Sequence, residues 1–374
     1  MQYKVIGLMS GSSLDGLDIV YAHFHETAAK WSYEIQRSAC YTYSREWSDR
    51  LKNSNSLSAY EYQLLHVEYG HYIGQEVNRF IQENNLSYQV QFISSHGHTS
   101  FHEPKRKMTA QLGDGAAIAA ETGIHVINEL RAMDLALGGQ GAPIVPIGEQ
   151  ALLGDHHFFL NLGGIANISA HLPGPAEATE EKERFIAFDI CPANRILNML
   201  SQETGKDFDL NGAMAAAGSV NHSLLVKLNQ FPYYALPYPK SLANDFGIKE
   251  VYPVIHDQED SVQNKLRTYV EHICVQVVHA ISMILQQQKQ LPSPLKLLAT
   301  GGGAHNEFLM ARLRDVLKNL DIELMVPDQT LVDYKEALIM AFIGVLRWRE
   351  ENNVLSSVTG ASRDSIGGAL WIGK

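Results

Sequence analysis

Gly7-Leu8-Met9-Ser10-Gly11-Ser12-Ser13-Leu14-Asp15-Gly16-Leu17-Asp18 packs glycines, three hydroxyls and two carboxylates into a turn between two apolar runs. Tyr3-Lys4-Val5-Ile6 before it and Ile19-Val20-Tyr21-Ala22-His23-Phe24 after it predict strands, so the glycines fall in a hairpin turn. Glycine permits positive φ and lets backbone N–H groups converge on an anion. Gly11 and Gly16 have the spacing of a P-loop, but Leu17-Asp18 follows where that motif needs Lys and Ser/Thr. Carboxylates in place of the lysine point to Mg²⁺, held largely through water, as the charge that offsets bound phosphate. An ordinary tight hairpin is the alternative.

Two further glycine turns follow strand-like runs. Asn161-Leu162-Gly163-Gly164-Ile165-Ala166-Asn167 reads as strand-turn-strand, about 150 residues after the first, the pseudo-repeat of a duplicated domain. Gly301-Gly302-Gly303-Ala304-His305-Asn306 reads as strand-turn-helix, where a base or ribose can lie against bare backbone. Strand-like runs at 90–94, 125–128, 158–162 and 295–300 alternate with helical ones at 58–84, 116–122 and 262–290, an α/β pattern. Gly138 to Pro143 is the boundary candidate, dividing the chain into 1–135 and 136–374 with the C-terminal end free to pack back on the first part. Pro173 to Glu183 reads as a solvated loop.

The chain has 374 residues, a length suited to two domains, and a formal charge of −11, which argues against nucleic-acid and membrane-surface partners. Cys40, Cys191 and Cys274 form no CxxC pair, which fits a reduced, cytoplasmic setting without structural zinc. The first residues lack a signal-like apolar stretch, and no run of 18 apolar residues occurs.

These turns, with Ser95-His96-Gly97, Arg131 to Pro146, Phe188-Asp189 and Asn194, resemble the actin-like ATPase and sugar-kinase superfamily, and within it the anhydro-N-acetylmuramic acid kinase family. The resemblance implies two α/β domains of ribonuclease H-like fold, with mixed five-stranded sheets flanked by helices and ATP in the interdomain cleft. It implies transfer of an ATP phosphoryl group to O6 of 1,6-anhydro-N-acetylmuramic acid while water opens the anhydro bridge. Asp134 is then the general base. Gly11, Ser12, Ser13, Leu14, Asp15, Gly16, Leu17 and Asp18 with Gly163, Gly164 and Asn167 form two phosphate hairpins, and Gly301, Gly302, Gly303 and Asn306 an adenosine clamp. His96, Gly97, Arg131, Gln140 and Asn194 line the sugar, with Arg131 holding the lactyl carboxylate or screening phosphate. Asp15 and Asp189 orient Mg²⁺ through water; Asp18 stands as either a metal-side group or an inward strand residue. Glu336 matches a family glutamate and equally fits a solvated first-turn position. His96, His98 and His102 are read as substrate-lining or core histidines, not a metal cluster. A homodimer is what the resemblance suggests.

The chain departs from the family pattern at several positions. His98 replaces the usual glutamine, Gly115 the usual proline, and Cys191-Pro192-Ala193-Asn194 stands for Gly-Pro-Gly-Asn, giving a Cβ where positive φ is expected. Lys240-Ser241-Leu242-Ala243-Asn244-Asp245 stands for Lys-Ser-Thr-Gly-Arg-Glu and loses an arginine. The ATP side therefore matches more fully than the sugar side, and a kinase for another carbohydrate or a non-catalytic ATP binder remain the alternatives.

Overall fold

A computed structural model of the chain describes residues 1–11, 13–172, 184–243, 245–286 and 293–374. Ser12, the 173–183 loop, Asn244 and the predicted end of the 262–290 helix lie outside them. Two compact units emerge: Met1–Gly154 with Tyr334–Lys374, and Asp155–Asp333.

The first unit is built on β1 (Gln2–Ser10), β2 (Gly16–Thr27), β3 (Lys30–Thr42), β4 (Phe92–Glu103), β5 (Met108–Leu112) and β6 (His125–Asn128). The second uses β7 (Phe158–Leu162), β8 (Ile165–Leu172), β9 (Arg184–Pro192), β10 (Leu295–Thr300) and β11 (Ile322–Met325), and β12 (Ala369–Trp371) returns to the first. In the first sheet the order β3-β2-β1-β4-β6 is an antiparallel meander followed by two parallel strands. The order β9-β8-β7-β10-β11 repeats that pattern in the second. The expected five-stranded sheet is met in the second unit. In the first it is enlarged to seven strands, because β5 folds back on β4 and β12 adds to the edge of β6.

Corresponding helices cover both sheets. Ala59–Glu83 starts at a capping box in which Ser58 and Glu61 exchange bonds, and it buries Tyr69, Ile73, Val77 and Phe80 against the first sheet. Gly115–Thr122 ends at Gly123, whose φ of 68° makes it the left-handed C-terminal cap expected there. In the second unit Val262–Leu285 buries Leu266, Tyr269, Val270, Ile273, Val277, Ile281 and Ile284. Each such apolar side chain contributes roughly 1.5–3 kcal/mol on burial. This helix has the length and apolar content to cross a membrane, but its stripe forms the core of the second unit.

The units divide at Gly154/Asp155, not at 135/136 as the glycine run suggested. The reason is local. The loop after Asp134 folds back on it, with Gly139 N–H donating to the Asp134 carbonyl at 2.9 Å. Pro146–Leu153 is a helix whose Gly148 faces Ile339, so residues 136–154 pack as part of the first unit. The helix Gln329–Trp348 then carries the chain back, and the C-terminal segment belongs to the first unit.

Candidate functional site

In the first unit the opening turn joins β1 to β2 as a hairpin. Its left-handed residue is Leu14, at φ 59°, and neither Gly11 nor Gly16. Gly16 serves close approach instead: a Cβ there would lie 2.6 Å from Cys40 Sγ and 2.8 Å from the Tyr41 carbonyl. Asp15 is exposed, and its Oδ1 accepts from Ser13 Oγ at 2.7 Å and from Gly16 N–H at 3.0 Å, so one carboxylate oxygen closes the turn. Leu17 is buried, and Asp18 is half-buried on β2 between Met9 and Cys40. At the end of β1, Ser10 accepts from the Tyr43 hydroxyl at 2.8 Å, and Tyr43 lies 2.6 Å from the Tyr69 hydroxyl.

A bulge in β4 separates two histidines that strict alternation would place together. Two steps of β1, Leu8 to Ser10, face three of β4, Ser95 to His98, and Gly97 absorbs the extra residue at φ 70°. His98 turns to Ser10, with Nδ1 at 3.2 Å from Oγ, and burial pulls its pKa down to about 4. His96 turns to Arg131, whose Nε–H donates to His96 Nε2 at 2.8 Å while an Nη donates to the Gly141 carbonyl at 2.6 Å. Burial, reinforced by the Arg131 charge, lowers His96 to about 3, so the ring is neutral. Burial also draws Arg131 down to about 10, opposed by Glu336 and Asp134.

Asp134 belongs to the same cluster but is closed off. It sits in the short helix Ala132–Ala136 with 0% exposure. Its Oδ1 accepts from Thr359 Oγ1 at 2.6 Å and its Oδ2 from Gly141 N–H at 2.7 Å. Each oxygen takes one protein donor and keeps a further lone pair, so the two bonds orient the carboxylate. Through them Asp134 anchors the 138–141 loop. Gln140 is exposed, and its N–H donates to the Thr359 carbonyl at 2.8 Å. Glu336 is partly enclosed, not solvated, and its pKa is raised by burial against the pull of Lys335 and Arg131.

In the second unit a polar row crosses the sheet in register: Thr300 beside Asn161, Asn161 beside Asn167, Asn167 beside Asp189. The Thr300 hydroxyl is buried and has no partner among the described residues. The Gly163-Gly164 turn joins the two middle strands of this row, β7 and β8. The carbonyls of Gly163 and Gly164 accept from the N–H groups of Asn194 and Ala193 at 3.1 and 2.8 Å. Ala193 has φ −128°, so its Cβ meets no left-handed strain where the family glycine is replaced. Asn194 donates to the Leu162 carbonyl at 2.8 Å and lies against Gly302 and Gly303, a bracing position within this unit; His96, Gly97, Arg131 and Gln140 belong to the first unit. Gly301 opens the third turn at φ 81°, and Asn306 spends its Oδ1 capping the next helix at Leu309 N–H, 2.9 Å.

Asp189 is half-buried, and burial raises its pKa. Its Oδ2 accepts from Leu242 N–H at 2.9 Å, with a further bond to Ser241, while Tyr233 donates to its carbonyl at 2.7 Å. The segment that departs from the family pattern is thus the one that holds Asp189. Lys240 lies over the Tyr233 ring at 4.9 Å and donates to the Tyr234 carbonyl at 3.2 Å, its pKa lowered by burial. Sequence reasoning missed Thr359, Tyr43 and Tyr233; no spacing ties any of them to the glycine turns.

A family model described as anhydro-N-acetylmuramic acid kinase matches residues 3–373 of the chain. The anhydro-N-acetylmuramic acid kinase of Haemophilus influenzae is 33% identical, across 98% of this chain and 97% of its own length. That of Shewanella amazonensis is 33% identical, across 99% of each. Among solved structures, the activator of 2-hydroxyisocaproyl-CoA dehydratase from Clostridium difficile with bound ADPNP is similar at a TM-score of 0.43 and 12% identity, covering 94% of this chain and 99% of that one.

Proposed function

Because the chain belongs to the anhydro-N-acetylmuramic acid kinase family, we propose that it transfers a phosphoryl group from ATP to O6 of 1,6-anhydro-N-acetylmuramic acid while water opens the anhydro bridge. The product is N-acetylmuramic acid 6-phosphate, a step in the recycling of cell-wall sugars. The observation that carries this reading is the match of the family from residue 3 to residue 373, glycine turns included. The three cysteines are free, which suits work in the cytoplasm.

The chemistry asks for positioned phosphates and one activated water. The Gly11–Gly16 and Gly163–Gly164 hairpins supply backbone for phosphate, and the exposed Asp15 carboxylate suits a Mg²⁺ held through water. Mg²⁺ bound there offsets phosphate charge. The Gly301–Gly303 turn offers side-chain-free backbone to the nucleoside. Arg131, oriented by the neutral His96, offers its remaining guanidinium donors to an acidic sugar.

Asp134, the base the family resemblance implies, and Asp189 are the two candidate proton acceptors for the water. Burial holds the Asp189 carboxyl above its usual range, the direction a base near neutral pH requires. Leu242 N–H and Ser241 orient it. Asp134, oriented by Thr359 and Gly141, also maintains the loop beside Arg131.

The test follows ADP and sugar phosphate from Mg-ATP and the anhydro sugar, with Asp189→Asn and Asp134→Asn alongside. Asp189→Asn should lose roughly 10²–10⁴-fold in kcat while still binding ATP. Asp134→Asn should lose thermal stability together with activity. ATP binding without turnover on any sugar of a panel would refute the kinase reading, and an undiminished rate in either variant would remove that residue as the base.

A further inference from the structure

At the far end of β2 from the phosphate hairpin, His23, His25 and Glu34 bring three ligand atoms within 4.8 Å of one another. We propose that these side chains bind one divalent transition-metal ion of the zinc class and so clip β2 to the sheet-edge strand β3.

The placement follows from strand geometry. His23 and His25 alternate on β2 and share a face, and Glu34 is the direct register partner of His23 on β3. Directly paired residues have Cβ atoms about 4.5–5.5 Å apart, close enough for two imidazoles and a carboxylate to converge. Two imidazoles with one carboxylate form a donor set suited to zinc or its first-row neighbours, and water completes the coordination.

A second observation orients the first ligand. The Tyr21 hydroxyl reaches the Gln89 carbonyl at 3.4 Å and lies 3.1 Å from His23 Nε2. A ring that donates Nε2–H to this oxygen presents its Nδ1 lone pair to a metal. A donor from the non-ligating ring nitrogen to an oxygen partner is the usual support of a metal-binding histidine. Gln36 donates to Glu34 Oε2 at 2.9 Å and steadies the carboxylate.

One group opposes the site. Lys4 pairs with His23 across β1 and β2 and places a like charge on the same face. The site is thus expected to be moderate in affinity and improvable. It is also remote from the proposed phosphate chemistry, since His25 stands seven residues beyond Asp18 on β2, about 24 Å along an extended strand.

The experiment uses the full chain, freed of metal by chelation and without nucleotide. Co²⁺ is titrated and followed by its visible absorption, with Zn²⁺ in competition and in thermal melts. One Co²⁺ per chain, displaced by Zn²⁺, and a raised Tm are expected. His25→Ala and Glu34→Gln should each weaken binding by about tenfold or more and cancel the Zn²⁺-induced rise in Tm, while Lys4→Gln tightens binding. His71→Ala, on the separate exposed His71–Glu121 pair, should leave both readouts unchanged. His25→Gln replaces His25→Ala should the latter unfold. Absence of saturable Co²⁺ binding at micromolar metal, or a smaller loss in either ligand variant, would overturn the site.

Discussion

Arg131 Nε–H donates to His96 Nε2 at 2.8 Å, and this bond decides which ring nitrogen carries the proton. With Nε2 accepting, the proton sits on Nδ1 and is given to the Gly97 carbonyl at 2.9 Å. The guanidinium's second arm holds Gly141, whose own N–H holds Asp134. One planar fork therefore ties the β4 bulge to the glycine loop. Arg131→Lys keeps the charge but has no fork to reach both partners. Charged hydrogen bonds of this kind are worth about 1.5–3 kcal/mol, so kcat/KM for the sugar should fall roughly 10- to 100-fold, with KM for ATP little changed. A kcat/KM within twofold of the parent would show that the fork does not shape the sugar side.

Lys335 and Glu149 meet at 2.6 Å with side chains only 3% and 4% exposed. Such a pair costs much to break and little to replace as a unit. Lys335→Met strands the Glu149 carboxylate beside the partly enclosed Glu336 and should destabilise the first unit by about 3–5 kcal/mol. Lys335→Met with Glu149→Leu should recover most of that loss. Tryptophan fluorescence in urea reads this directly, because Trp31, Trp47, Trp348 and Trp371 all lie in the first unit. A double variant as unstable as the single one would mean that the pair is stabilising in its own right.

What was legible in the sequence was local. The strands at 125–128, 158–162 and 295–300, the helix at 58–84 and the end of the next at Gly123 follow from alternation, helical periodicity and capping chemistry carried in a few neighbouring residues. The glycine turns also stand where strand endings put them. What escaped depends on distant partners. Leu14 takes a left-handed turn position, while Gly16 is needed for its close approach to Cys40 and Tyr41 on β3. The orientation of Asp134 depends on Thr359, 225 residues later, which no local pattern announces. The unit boundary moved for the same reason: residues 136–154 find their packing partners in the returning C-terminal helix.

The buried histidines give the first unit a specific acid sensitivity, and His98 is the one that can be separated. Its folded pKa of about 4 lies below the ordinary value of 6.5, because burial disfavours the charged ring while only the Ser10 bond supports it. Between those values the unfolded chain binds more protons than the folded one. Stability therefore falls as pH drops through 6.5 and the loss is complete below about 4. At pH 5 this one ring should already cost about 2 kcal/mol. His96, lowered to about 3, acts in the same direction and continues to lower pH. His98→Gln places at this position the residue usual in the family and keeps a side-chain partner for the Ser10 hydroxyl, which also accepts from Tyr43. Urea titrations by tryptophan fluorescence at pH 7.5 and pH 5 should show the variant losing about 2 kcal/mol less than the parent between the two conditions. Equal losses in the two proteins would mean that His98 is protonated in the folded state, and that the Ser10–Tyr43 end of β1 accommodates its charge.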